Sequence, residues 1–273
     1  AGRVFRLNKK DQFNYDEYKY FNRDFSKLSK VEKNSLRKLA KKILKQKFSG
    51  KIGNDIKELI TTKSAFKQNY NNKKKILKKS NKIKVLIATH QLGDTYNHYG
   101  NNFFPDFYEW LKFLTKISKN SEYEWYIKDH PYYSDLKYAK SLDRTTLLTK
   151  KFVEESSNLT YLPSDISHHQ IINEKIDFVL TVYGTIAFEY AYFNVPVIMA
   201  TKNCPTYKSN INIVPQNLNE YKNIIKNLES TELKINKNDV IDYFVMRYIY
   251  NDYDIFFEKH SSFINKNNTW DDY

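Results

Sequence analysis

Beyond Lys82 the chain alternates short apolar, β-branched runs with longer stretches of helical periodicity. Val85-Leu86-Ile87-Ala88 predicts a buried strand, followed by a polar loop from Thr89 to Asn102 and a helix from about Pro105 to Ser118. Glu124 to Lys128 predicts a second strand, Leu147 to Ser156 a helix, Leu159 to Leu162 a third strand and Ile166 to Asn173 a short helix. Phe178 to Val182 predicts a fourth strand, Thr185 to Phe193 the helix after it, and Val195 to Met199 a fifth strand. Helices are expected again at Asn219 to Leu228 and Asp239 to Tyr250. Apolar strands with no polar face, each followed by a helix, belong to a parallel sheet buried on both sides. The expected fold is therefore α/β, with a Rossmann-like parallel sheet and helices on both faces.

The first 82 residues have a different texture, and a boundary is expected there: a basic, mainly helical region over 1–82 and the Rossmann-like domain with its C-terminal helices over 83–273. Lys38, Lys41, Lys42, Lys45 and Lys47, then Lys73, Lys74, Lys75, Lys78 and Lys79, concentrate charge in the first region. Between Val31 and Phe48, the apolar residues Leu36, Leu39, Ile43, Leu44 and Phe48 recur at three- and four-residue steps, which predicts an amphipathic helix stopped at Gly50. Such a basic face binds RNA or a membrane surface, or is simply solvated while the apolar stripe packs on a neighbouring domain. Packing is the preferred reading.

The whole sequence has 273 residues, 45 Lys and Arg against 31 Asp and Glu, and a net charge of +14. With 16% aromatic residues it can bury a core, which excludes a disordered basic tail. Six Gly, six Pro and abundant Lys, Asn, Tyr and Ile match an AT-rich coding sequence, so the positive charge alone does not argue for a polyanionic partner. Cys204 is the single cysteine, which excludes an intrachain disulfide and a Cys/His zinc cluster and fits a reducing compartment. No apolar run reaches the ~20 residues of a membrane helix, and no hydrophobic signal segment follows Ala1-Gly2-Arg3. The expectation is a soluble, cytoplasmic protein, and the absent initiator Met predicts processing or excision from a longer chain.

In an open parallel sheet, ligands bind beyond the carboxyl ends of the strands, so the loops there are where chemistry is expected. The loop after the first strand holds His90, Gly93, Asp94, His98 and Gly100, a dense set of hydrogen-bonding groups and turn glycines. Its length favours function over a turn satisfying its own backbone. The loop after the second strand begins Lys128-Asp129-His130-Pro131, which sets an imidazole at the strand end with a proline fixing the chain direction. The fourth strand runs through Tyr183-Gly184-Thr185 into a helix. Glycine allows close approach, Thr185 can cap the helix, and exposed amides with the helix dipole suit a phosphate. Glu189 lies one turn up on the same helix face, where a carboxylate can accept from a ribose diol. Lys202, after the fifth strand, adds positive charge beside the same cleft, and Cys204 reads as a bystander.

A strand ending in His-Pro (His130-Pro131), a strand with Thr-x-x-Gly-Thr-x-x-x-Glu (Thr181 to Glu189) and then Pro196-Val197-Ile198 together resemble the donor-binding domain of GT-B glycosyltransferases. Within them the pattern is most similar to bacterial capsule and surface-polysaccharide transferases of the Kdo-transferase kind. The segment from His90 through Trp110 also resembles such proteins, and the likeness covers roughly residues 83 to 200. The resemblance implies that His130 and Thr185, with the Gly184 backbone, contact the phosphates of a nucleotide sugar, CMP- or UDP-type, and that Glu189 binds ribose. It also implies no further cofactor and no metal, since the phosphate cradle stabilises the leaving group in a metal's place. The chain carries Gly-Thr where many relatives have Ser-Ser or Ser-Gly. A GT-B enzyme has a second, N-terminal Rossmann domain that 1–82 does not resemble, so the expectation is one GT-B half.

The leading expectation is thus a metal-independent glycosyltransferase acting on a bacterial capsule or other surface polysaccharide. Its partners would be a nucleotide-sugar donor and a glycan or lipid-linked glycan acceptor, with peripheral association at the inner membrane face through the basic N-terminal region. Asp94 and His90 are the candidate catalytic bases, and Gly93, His98, Lys128 and Lys202 candidate cleft residues. One alternative is a phosphotransferase passing a polyol phosphate from a CDP-activated donor, as in teichoic-acid-like polymer synthesis. Another is a non-catalytic polyanion-binding protein on a Rossmann-like scaffold. No RNP-like aromatic motif or Cys/His finger points to sequence-specific nucleic-acid recognition.

Overall fold

The structure is a computed structural model that describes residues 25–50, 65–66, 68, 70, 74–90, 92, 96, 102–130, 139–204, 206 and 209–249. Five parallel strands form one sheet: β1 (Lys84–Ala88), β2 (Glu124–Lys128), β3 (Leu159–Leu162), β4 (Phe178–Thr181) and β5 (Val197–Met199). Their order is β3-β2-β1-β4-β5. Leu86 pairs with Tyr126 on one side and with Val179 on the other, and Leu180 pairs with Ile198. The helices are α1 (Lys30–Phe48), α2 (Phe107–Lys119), α3 (Ala139–Glu154), α4 (His168–Asn173), α5 (Ile186–Tyr192), α6 (Leu218–Lys226) and α7 (Lys237–Phe244).

Every residue of β1, β2, β4 and β5 is buried, because both faces of the sheet are covered. Successive strand residues point to opposite faces, so Val85 and Ile87 join Trp110 and Leu114 of α2 and Tyr221 and Ile225 of α6 in one apolar cluster. Leu86 and Ala88 join Ile171 of α4 and Ala187 and Tyr190 of α5 in another. The first layer is fixed by a polar pin as well, since the Trp110 indole N–H donates to the Tyr221 hydroxyl at 2.9 Å. Capping sets where α2 and α6 begin. The Asp106 carboxylate accepts from the Glu109 amide, and the Asn217 side chain accepts from the Glu220 amide. Lys116 and Lys119 in the last turn of α2 complement its negative end.

The α/β architecture matches the sequence expectation, with three local differences. α3 starts at Ala139, a full two turns before the expected Leu147. β5 begins at Val197 rather than Val195, because Pro196 has no N–H to extend the ladder. Leu39, expected in the apolar stripe of α1, is 44% exposed, whereas Ala40, Leu44 and Phe48 are buried.

Two compact units are distinguished, Lys42–Ile241 and Ala1–Lys41 with Asp242–Tyr273, so the segment from 42 to 82 groups with the sheet. Inside the larger unit, the Phe48 ring packs on Phe66 and Tyr192, both at 4.9 Å, and on Phe193 at 4.8 Å. In the other unit, Arg37 makes a bidentate pair with Asp242 at 2.7 and 2.6 Å. Among the described residues, no helix is long and apolar enough to cross a membrane.

Candidate functional site

In this strand order the chain reverses direction of travel across the sheet at β1, which lies between β2 and β4. The carboxyl ends of β1 and β4 therefore flank the topological switch point, where helices on opposite faces leave a crevice. His90 stands there, two residues past β1. Its Nε2 lies 3.0 Å from the Thr181 hydroxyl at the end of β4 and accepts the Val182 amide at 3.3 Å and the Tyr183 amide at 3.5 Å. Its ring stacks on Phe107 with centroids 4.5 Å apart and planes 13° from parallel. Burial, with a smaller contribution from nearby His130, pushes the imidazole down to about 3, so it is neutral at physiological pH.

The β4 turn sorts its amides into two groups. Val182 and Tyr183 donate to His90. The next three, Gly184, Thr185 and Ile186, donate to no acceptor among the described residues, while the carbonyls of Gly184 and Thr185 close the first turn of α5 by accepting from Ala187, Phe188 and Glu189. Thr185 is exposed and makes no side-chain cap, contrary to the expectation that its hydroxyl would cap the helix. A Cβ added to Gly184 would lie 3.4 Å from His90 Cε1 and 3.4 Å from the Thr181 hydroxyl oxygen. Gly184 thus lies directly against the imidazole edge, and the three open amides begin at that point.

His130 is half-buried at the end of β2, close enough to raise the cost of charging both His90 and His168. It therefore shares the carboxyl edge of the sheet with His90, Gly184 and Thr185. Its neighbours belong to a different network. Asp129 is 1% exposed, and its Oδ2 accepts from the Tyr161 hydroxyl at 2.7 Å and the Thr146 hydroxyl at 2.9 Å. Burial first, and then the bond to Asp129, raises the Tyr161 phenol above its ordinary range. The Lys128 ammonium is also buried, donating to the Ser164 carbonyl at 2.8 Å and the Asp129 carbonyl at 3.3 Å.

Several expected roles are corrected by this geometry. His90 is a poor general base, because an imidazole that takes a proton only near pH 3 has little proton affinity to offer and its Nε2 is already engaged. Glu189 is buried in an ion pair, with Lys47 Nζ 2.9 Å from its Oε1, and so is committed to α1 rather than open to a ribose. The contact is an ion pair without the alignment of a directed hydrogen bond. Lys128 is a structural donor to loop carbonyls, not a cleft cation. Lys202 is exposed just past β5. Gly93, Asp94 and His98 lie outside the described residues.

Sequence reasoning passed over Thr181, Asp129 and Ile186. Thr181 carried a signal, as a hydroxyl on the last residue of an otherwise apolar strand. Among the described residues no group of three or more His, Cys, Asp or Glu is placed to hold a metal. The sequence does contain one Asp-x-Asp pair, Asp252-Tyr253-Asp254, outside the described residues. A groove of about 840 Å³ lies between α2 and α6, and one of about 720 Å³ runs along α2 beside Phe103, Phe104 and Glu155; they share Phe113, Lys116 and Asn120. The larger sits toward the amino ends of the strands, since its Ser121 and Tyr123 lead into β2, whereas ligands of open α/β sheets sit at the carboxyl ends. No family model, curated protein or solved structure matches the chain.

Proposed function

We propose that the chain binds a nucleotide-activated sugar at the β1–β4 crevice and serves as the donor half of a glycosyltransferase of bacterial surface polysaccharide synthesis. The observation that carries this reading is the run of three open amides at Gly184, Thr185 and Ile186, set beside His90 at the switch point of the sheet. Convergent N–H groups at a strand-to-helix turn suit a phosphate, and a half-buried imidazole on the neighbouring strand end, His130, suits a second phosphate oxygen.

In the transfer, the acceptor hydroxyl attacks the anomeric carbon while the bond from that carbon to the phosphate oxygen breaks. Negative charge grows on the departing nucleotide. The amides and His130 stabilise it without having to reorganise, because the turn is already held by His90 and the stacked Phe107. The hydroxyl proton goes to Asp94, the candidate base that remains from the sequence once His90 is committed to the β4 turn. Phosphate stabilisation by these groups needs no metal. Membrane association through the basic N-terminal region stays part of the proposal, with Lys38, Lys41, Lys42 and Lys45 exposed on α1.

Titration calorimetry with CMP-, UDP- and GDP-sugars tests the reading. One donor class is expected to bind with the exposed Thr185 hydroxyl donating beside its amide, so that His130→Ala and Thr185→Ala each weaken it by about 1 to 3 kcal/mol, as for lost hydrogen bonds to a charged group. Unchanged binding in both variants overturns the site. Product analysis then separates sugar transfer from transfer of a polyol phosphate, because only the latter leaves phosphorus in the product.

A further inference from the structure

His90 was read from the sequence as a catalytic base, yet its surroundings define a different role. A backbone amide can only donate, so the Val182 and Tyr183 N–H groups at 3.3 and 3.5 Å require Nε2 to be the bare, accepting nitrogen. The ring's one proton then sits on Nδ1. Nδ1 has no hydrogen-bond partner among the described residues, although the residue is only 7% exposed. The atom is not sealed from solvent, so a ligand can reach it. Cε1, the carbon between the two ring nitrogens, would lie 3.4 Å from a Cβ added at Gly184. The donor nitrogen is therefore one bond from the ring atom that meets Gly184, where the open amide run begins.

Rotation of the ring to a different arrangement is opposed on every side. Phe107 stacks on one face, Tyr183 lies 4.8 Å away and tilted, and Trp110 meets the ring edge-on at 6.4 Å. A flipped ring would turn a carbon toward the two amides and strand them. Charging the ring would put a second N–H against the same two donors, and burial beside His130 opposes that charge as well.

We propose that His90 is locked as the neutral Nδ1–H tautomer and that this N–H is a fixed donor to a phosphate oxygen of the ligand, completing the cradle begun by Gly184, Thr185 and Ile186. The inference rests on the phosphate-binding reading of the crevice and adds to it a named donor that does not titrate near neutral pH. His90 is in this view neither an acid nor a base. It uses one nitrogen to shape the turn and the other to read the ligand.

Two-dimensional ¹⁵N side-chain spectroscopy of the full chain tests it, with His90→Gln to assign the His90 signals. The expected result in the free protein is an Nδ1–H, bare-Nε2 pattern that does not change between pH 5 and 8. Addition of inorganic pyrophosphate, CMP or UDP should then move the Nδ1 resonance together with the amides of Gly184, Thr185 and Ile186. An Nε2–H tautomer, or a titration within that pH range, overturns the proposal. Shifts at the three amides with His90 Nδ1 unmoved also overturn it while leaving the crevice reading intact. Shifts at neither, with all three probes, remove the crevice reading itself.

A second readout separates a donor from a mere brace. The glutamine of His90→Gln reaches the Nε2 position and can accept the two amides, but has no group at Nδ1. It should keep the fold and weaken pyrophosphate binding at least tenfold. Full affinity in this variant, with the fold retained, reduces His90 to a support for the turn and refutes the proposal.

Discussion

The two halves of the sheet's carboxyl edge are built from similar residue types and end up differently. At the β2–β3 side, Lys128 donates to the carbonyls of Asp129 and Ser164, and Asp129 Oδ2 accepts from Tyr161 and Thr146, which leaves one buried acceptor, Asp129 Oδ1, without a partner among the described residues. At the β1–β4 side, His90 satisfies two amides on one ring edge and leaves its other edge, with three further amides, without protein partners among the described residues. A polar residue at a strand end is therefore not in itself a sign of a site. What distinguishes the β1–β4 side is that its open groups are all donors, set where backbone can be approached, whereas the β2–β3 side leaves only an acceptor.

The largest effect that sharpens this contrast is expected away from both edges. Glu189 and Lys47 form a buried pair, with side chains 3% and 11% exposed, so removing one partner strands a charge. Lys47→Ala or Glu189→Ala should cost about 3 to 5 kcal/mol in urea unfolding. Joint replacement by Met and Leu should recover most of it. A Glu189→Gln protein that keeps its donor affinity would confirm that this carboxylate serves α1, and a large affinity loss at unchanged stability would return it to the ligand.

Next in size is Asp129→Ala, which leaves the Tyr161 and Thr146 hydroxyls without their acceptor and should destabilise by about 2 kcal/mol. Its nucleotide affinity should be unaffected, because the atom this network leaves open, Asp129 Oδ1, is an acceptor that repels a phosphate. A loss of affinity without a loss of stability would break the comparison between the two edges.

pH provides a third test. His90 and His168 both have lowered pKa values in the folded protein, the former to about 3, chiefly through burial. The unfolded chain binds their protons near pH 6.5, so the stability from keeping them neutral is complete above that value and is lost as pH falls below it. Each contributes a slope of about 1.4 kcal/mol per pH unit below 6.5. Urea midpoints measured from pH 7 to 5 should fall accordingly, and His90→Gln should remove its share of the slope. A flat profile would mean that both rings are accessible to protons in the native state.

The smallest effect is expected at Gly184. An added Cβ would meet His90, Thr181 and Ile186 at 3.4 to 3.5 Å, which is ordinary contact, so Gly184→Ala should change stability by less than about 1 kcal/mol. The bulkier Gly184→Val should keep the fold and weaken pyrophosphate about tenfold by crowding the amides. Equal binding by the two variants would show that the ligand does not approach there.

Much of the fold was legible because burial on both faces writes itself into local composition. β2 and β3 were readable to the residue, since Trp125 to Ile127 and Leu159 to Leu162 are short aromatic and β-branched-rich runs flanked by polar residues. The start of α3 was not, because Ala139-Lys140-Ser141-Leu142-Asp143-Arg144 has no apolar spacing. The site was half legible. Gly184 and Thr185 announced a strand-to-helix turn, and a turn of that kind is a local property. The roles of His90 and Glu189 depend on Thr181, Val182 and Lys47, which lie far from them along the chain, and no periodicity records such a meeting. The chemistry of each residue was visible, but the partner that decides its use was not.

The central claim is that an anionic ligand enters where the β1–β4 network is left open. A crystal structure of the full chain with its bound nucleotide tests this directly. The predicted result places a phosphate oxygen about 3 Å from the amides of Gly184, Thr185 and Ile186 and from His90 Nδ1. A nucleotide seated instead between α2 and α6, against Phe113 and Lys222, with the β4 turn empty, would contradict it.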